Sequence, residues 1–177
     1  MSTLNGTYII DPTHTAIGFV ARHAMISKVR GNFAEFEGTF TFDAENQTAS
    51  TAAVTIQTAS ISTGVADRDA HVRNADFFDV ENYPTMTFTA TEFSLNNDEG
   101  TVTGDLTIKD VTKPVTLKVE IGGIAEDPFG NTRLGFEATT KINRKDFNID
   151  FNAPLATGGV LLSEEIKIVL DVSAIKQ

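Results

Sequence analysis

Cysteine is absent from the 177-residue chain, which excludes disulfides, thiolate zinc sites, iron–sulfur clusters and cysteine nucleophiles together. Tryptophan is absent too, and only two tyrosines stand beside thirteen phenylalanines. Phe supplies apolar area without the polar handle that suits Tyr and Trp to wet interfaces. Such a stock belongs in a core or along an internal apolar cavity. Basic residues are scarce: 14 Lys and Arg against 24 Asp and Glu leave a net charge of −10. That balance repels phosphate, so it disfavours nucleic-acid binding and docking on anionic membranes. No apolar run approaches the ~18 residues of a membrane span, so no membrane insertion is expected. Met1–Thr7 lacks the basic stretch and apolar run of a secretory signal, and taken as the complete product the chain is expected to be soluble and cytoplasmic.

The usual catalytic strings are missing as well. There is no G-x-S-x-G, no H-E-x-x-H, no Walker loop and no G-x-G-x-x-G, and no metal or cofactor is expected from motif. His14, His23 and His71 are the only histidines. They read either as hydrogen-bonded ends of elements or as three ligands converging as in a catalytic zinc site. Glu35 and Glu37 share a strand face, which is solvated if Phe36 and Phe40 point inward; an acid/base pair is the other reading.

What is present is alternation. Thr85-Met-Thr-Phe-Thr-Ala-Thr91, Val102–Lys109, Val115–Ile121 and Ile166–Val172 each put apolar residues on one face and polar ones on the other. Such alternation marks antiparallel strands with one solvated face. Further strands are expected at Thr7–Ile10, Ala16–His23, Phe33–Phe42, Ala52–Gln57 and Leu134–Ile142, separated by turns rich in Asn, Asp, Gly and Pro. Eight or nine strands joined by short turns form a meander that must hide its edges. Closure into an up-and-down barrel does so outright. With 41% hydrophobic residues the chain suits a single domain spanning 1–177. In that barrel the apolar phase points inward: Ile17 and Phe19, Phe36, Phe40 and Phe42, Val54 and Ile56, Met86 and Phe88, Leu106 and Ile108, Leu117, Phe136, Ile168 and Leu170.

Two stretches break the rhythm. Val65–Asn74 reads as a short helix with early Asp67 and Asp69 serving its N-terminus and Arg73 late; Asp76-Phe77-Phe78-Asp79 and Tyr83-Pro84 follow. Asn143–Ser163 is long and apolar, with Phe147, Phe151 and Gly158-Gly159, and is expected to be a packed lid. Phe77, Phe78, Phe147 and Phe151 would close the ends of the lumen or line it, with the glycine pair as hinge. The alternative is that they pin the loops to the outer surface. Arg22, Lys28 and Arg30 flank a loop, His23–Gly31, and Arg68 and His71 sit on the helix. His23, Lys28, Arg30, Arg68 and His71 are therefore candidates for a polar rim around a headgroup, with ordinary surface charge as the alternative.

Asp11-Pro-Thr-His-Thr-Ala-Ile-Gly-Phe19 resembles the D-x-x-H-[ST]-x-[IVL]-x-F opening of the YceI-like proteins. Val29-Arg-Gly-Asn-Phe33, Arg68–Arg73, Asp76–Asp79 with Tyr83-Pro84, Gly104–Val115, Asn143–Phe147 and Glu164–Ile166 follow in that family's order. The resemblance implies a lipocalin-like elongated barrel, all-β with about eight antiparallel strands, one or two short helices and a lid loop. It further implies a long isoprenoid or similar lipid in the interior, no catalysis, and a homodimer; many members are exported to the periplasm. The inward phase, together with Phe77, Phe78 and Phe147, would then contact the lipid. Two other functions fit the same barrel. A lumen-facing titratable group, His23 first, would suit an isomerase or cyclase acting on a lipid, and a lumen filled by side chains would suit a protein-interaction module.

Overall fold

In the computed structural model, which describes Met1–Gln177, the alternating segments join into one antiparallel sheet. The strands are β1 (Gly6–Ile10), β2 (Ala16–His23), β3 (Ser27–Phe33), β4 (Phe36–Phe42), β5 (Thr51–Gln57), β6 (Ile61–Ser62), β7 (Thr85–Asn96), β8 (Glu99–Ile108), β9 (Val111–Glu126), β10 (Thr132–Asn143) and β11 (Glu165–Lys176), with one helix, α1 (Ala66–Arg73). The first six form three interrupted strands. β1 and β2 lie end to end along β11, β3 and β4 run back beside them, and β5 and β6 pair with β4 and β3. With β7 to β11 they make eight positions in an up-and-down order, closed where β1 and β2 meet β11. The expected barrel is the one observed.

The seam of the barrel is built by the first motif. Asp11 accepts from Thr13 N–H (3.0 Å) and Pro12 starts a single 3₁₀ turn, so the chain steps sideways between β1 and β2. The ladder would lapse here at Ser173 of β11. Instead Asp11 N–H donates to Ser173 O (2.9 Å), and Thr15 Oγ1 donates to the same carbonyl (3.2 Å) while accepting from Ser173 N–H (3.1 Å). Arg133 of β10 bridges Asp11 (2.8 Å) and Asp127 (2.7 Å). His14 pairs with Asp11 at 2.8 Å.

Several sequence expectations need correction. His23–Gly31 is no loop but the β2–β3 hairpin, turning through Ala24–Ile26. β3 was masked because Lys28, Arg30, Gly31 and Asn32 leave it only Val29 and Phe33 as apolar residues. Phe33–Phe42 is broken at Ala34-Glu35, so Glu35 lies off the strands. β7, β9 and β10 run beyond the segments expected, since bulges near Thr91 and Gly122 flip the alternation midway. Asp69 does not cap α1; it accepts from both N–H and Oγ1 of Thr63 (2.6 Å each).

One barrel end is plugged and the other carries the insertions. At the plugged end Tyr8 is fully buried, stacks on Phe40 (4.9 Å) and donates its hydroxyl to Leu4 O (2.8 Å), beside Phe42, Leu134 and Ala174. The chain segments 63–84 and 144–164 both cross the opposite end, because β6, β7, β10 and β11 all begin or finish there.

The carboxyls of Asp11 and Asp127 are held low, first by the Arg133 guanidinium; Asp127 sits at about 2. A depressed carboxylate contributes stability above its unfolded value of about 4, and loses it as pH falls toward the folded value. The melting temperature should therefore drop between roughly pH 4 and pH 2. In Arg133→Gln it should already be lower at neutral pH and fall less over that window, as read by circular-dichroism melts; parallel curves would remove Arg133 as the cause.

Candidate functional site: an apolar lumen with a lidded mouth

The inner face of the barrel surrounds a cavity of about 470 Å³, and 39 of its 46 lining residues are hydrophobic. Its wall is not closed by its own side chains. Phe19, Phe40, Phe88, Leu117, Phe136, Ile168 and Leu170 line it, and each stays half-buried rather than buried. Two rings lie back against the wall. A Cβ on Gly31 would collide with the ring of Phe19, and one on Gly104 with the ring of Phe88. Glycine at these positions lets the aromatic rings fold down over the neighbouring backbone.

The predicted wall is recovered with one exception. Ile17, Phe19, Phe40, Phe42, Val54, Ile56, Phe77, Phe78, Met86, Phe88, Leu106, Ile108, Leu117, Phe136, Phe147, Ile168 and Leu170 all line the cavity. Phe36 does not; directly after the Ala34-Glu35 break it packs into the cluster around Ile17, Phe33 and Ile61. Of the rim candidates, His23, Arg68 and His71 reach the lining. Lys28 and Arg30 lie on the outer phase of β3, because Val29 takes the inner one. The three histidines do not converge, and no group of three His, Asp and Glu side chains is placed to hold a metal ion. The residues missed by sequence lie past the bulges, as with Phe93 and Leu95, and on the lid, as with Leu161 and Leu162.

The two insertions close one end of the lumen together rather than one end each. Phe151 of the second packs against His71 (4.9 Å) and Phe77 (5.3 Å) of the first, and Phe78 meets Phe33 edge-on at 5.8 Å. The mouth is also where the ladder runs out of partners, since β6 pairs with β3 alone. Arg73 donates to Ala59 O (2.9 Å) and Ile61 O (2.8 Å), and Arg68 donates to Thr63 O (2.7 Å) and Oγ1 (2.8 Å). His71 pairs with Asp76 at 2.9 Å.

The most buried charge belongs to a residue the sequence did not single out. Arg144 is 3% exposed and lines the cavity. Its guanidinium donates to Ser163 O (2.8 Å), Ile149 O (2.7 Å) and Leu162 O (3.3 Å), so it fastens both arms of the lid. Burial pulls its pKa down from the ordinary arginine value, opposed by the more distant Glu164 and Asp150. Glu164 itself is held low by its 2.9 Å ion pair with Lys145. Nothing in Asn143-Arg-Lys-Asp-Phe147 marks this arginine as interior, because the burial comes from the chain folding back from Ser163.

Arg144→Leu should leave three lid carbonyls without donors, at a cost of about 2–3 kcal/mol. Hydrogen exchange should accelerate across residues 148–163 while β8 and β9 keep their protection. Arg144→Lys should rescue little, since one ammonium does not span three carbonyls as a planar fork does. Uniform acceleration through the barrel would mean that Arg144 supports the whole fold rather than the lid.

A model of the YceI-like domain matches residues 8–174 of this chain. Protein YceI of Escherichia coli O157:H7 is 42% identical over 99% of this chain and 90% of that protein. Among solved structures, the YceI protein of Campylobacter jejuni superposes with a TM-score of 0.74 at 36% identity, covering 88% of this chain and 90% of that one. A polyisoprenoid-binding domain from Saccharophagus degradans shares the fold, with a TM-score of 0.73 at 15% identity over 96% of this chain and 98% of that domain. With the barrel, the lidded lumen and these matches in place, the chain belongs to the YceI-like family.

Proposed function

We propose that the protein binds a long-chain isoprenoid or a related amphiphilic lipid in the barrel lumen, for carriage, storage or sequestration. The unfilled apolar lumen carries this reading. Wall side chains left half-exposed to an internal cavity are costly unless something apolar covers them. Burial of hydrocarbon there contributes about 0.8 kcal/mol per methylene before ordering costs are subtracted. The cavity of about 470 Å³ lies within the size range of small-molecule sites. The Saccharophagus relative, described as a polyisoprenoid-binding domain, supports the same class of ligand.

Binding rather than catalysis is also supported by how the polar lining groups are used. Arg68 is committed to Thr63, His71 to Asp76 and Arg144 to three carbonyls. The lid then gates entry: its aromatic contacts with α1 and the Phe77 segment have to part for a long chain to thread in. A homodimer, which the family resemblance implies, is part of this proposal.

Native mass spectrometry with solvent extraction should find a lipid with a mainly hydrocarbon tail in the purified protein. Phe88→Asp should abolish its retention and lower the melting temperature, since a carboxylate on the lumen wall has no partner. Leu117→Trp, which narrows the lumen without adding charge, should weaken uptake of a fluorescent prenyl or fatty-acyl probe roughly tenfold while keeping the fold, by loss of apolar contact. Added ligand should slow exchange across 65–83 and 143–159 but not in the hairpin turns. Protein free of lipid from several hosts, with no probe uptake, would end this reading.

A further inference from the structure

The negative charge is not spread evenly along the barrel. The segments that build the lidded mouth are residues 22–30, 62–84, 106–113 and 140–168. They hold 11 of the 14 Lys and Arg and 10 of the 24 Asp and Glu, leaving 3 basic and 14 acidic residues elsewhere. The mouth half is close to neutral while the rest of the barrel carries about −11. The chain total of −10 therefore misstates what a surface approached mouth-first would meet.

Within the mouth, the β2–β3 hairpin is more polarised still. From residue 22 to 30 it carries Arg22, Lys28 and Arg30 and not one carboxylate. Arg22 and Lys28 face each other across the hairpin, and Arg30 opposes Val20, which in turn neighbours Lys167 of β11. All four cations are exposed and none is in an ion pair, whereas Lys141 and Lys145 are paired with Glu165 and Glu164.

At the hairpin tip Met25 and Ile26 stand 53% and 83% exposed. Ala24 and Met25 both take left-handed backbone, with φ of 50° and 65°, a conformation that costs energy in residues other than glycine. The fold gains nothing from two large apolar side chains held out in water. Their surroundings are uncharged as well. Residues 151–163 of the lid contain no Asp, Glu, Lys or Arg. Ala24 N–H donates to Leu161 O (2.7 Å), and Gly159 lies against Met25. The other strongly exposed aromatic, Phe129, has no such setting, since Glu126 and Asp127 stand beside it at the far end.

An apolar tip below a collar of free cations matches one surface, that of an anionic lipid bilayer. Phosphates would lie at the height of the collar and the acyl boundary at the tip. We infer that the mouth docks peripherally on an anionic bilayer, with Met25 and Ile26 in the headgroup layer and Arg22, Lys28, Arg30 and Lys167 on lipid phosphates. The purpose of docking rests on the lipid-binding function proposed above, because it sets the lid against a source or acceptor of the chain. Docking itself is measurable whatever the lumen holds.

Flotation with vesicles of phosphatidylcholine alone, and of phosphatidylcholine with about 30% phosphatidylglycerol, reads it directly. The wild-type protein should float with the anionic vesicles only, and release as salt rises to about 0.5 M. Ile26→Glu, and separately the double variant Arg22→Glu with Lys28→Glu, should lower the bound fraction about tenfold or more. Phe129→Glu should leave it unchanged. All variants should keep the wild-type melting temperature and take up a fluorescent fatty-acyl probe in solution. Failure of the wild-type protein to take up that probe counts against the lumen reading, not against docking. No flotation of the wild type with anionic vesicles, or unaltered flotation of Ile26→Glu, overturns the inference. So does a wild-type dimer that ignores vesicles and that Ile26→Glu converts to monomer, which would make the tip an interface between copies.

Discussion

A curved sheet with an apolar inner face persists in water only if its first and last strands meet, and here everything depends on β11. Its C-terminal part holds β1 and its N-terminal part holds β2, so one strand carries both halves of the seam. The sidestep between them would leave Ser173 unpaired in the ladder, and the Thr15 hydroxyl together with Asp11 N–H makes good that gap. The seam also fixes the phase of the whole lumen. A slip of one residue along β11 would turn Ile168 and Leu170 outward and their polar neighbours in. The Asp11–Arg133–Asp127 bridge ties the sidestep to β10 and to the β9–β10 turn, locking that register from outside the ladder.

Hydrogen-bonding capacity is the scarce quantity at the other end. Where strands stop and the chain must cross the mouth, free carbonyls accumulate, and each would be costly if left dry. Three arginines meet this need: Arg73 at β6, Arg68 at Thr63 and Arg144 inside the lid. A guanidinium suits the task because its donors diverge in one plane and reach separate carbonyls at once. The lid is thereby held by polar contacts at its base and by aromatic packing at its crossing point, two kinds of contact that open separately.

Much of this was legible in the sequence, for reasons that can be named. Thr85–Thr91 and Ile166–Val172 alternate cleanly because one face meets water and the other the lumen, so the barrel and its wall phase follow from pattern alone. The closing motifs of the YceI-like family then fixed the fold class. What escaped notice did so physically. β3 carries so many cations that it resembled a loop, and the same cations were assigned to a rim although Val29 occupies the inner phase. Bulges hid Phe93 and Leu95 by inverting the period. Arg144 was invisible because its burial arises from Ile149, Leu162 and Ser163 folding over it, a relation no local window contains. Phe36 fell out of the wall through a break that begins only two residues before it.

Gly31 and Gly104 are covered by the rings of Phe19 and Phe88, so nothing threaded through the barrel would touch either glycine. They nonetheless set the bore. A methyl group at either position would tip the ring above it toward the axis and pinch the channel at that height, without altering any residue a ligand contacts. The calibre of the tube, and with it the girth or branching of the chain it admits, is thus written one layer behind its surface. Related barrels could diverge in what they hold while the residues facing the lumen stay the same.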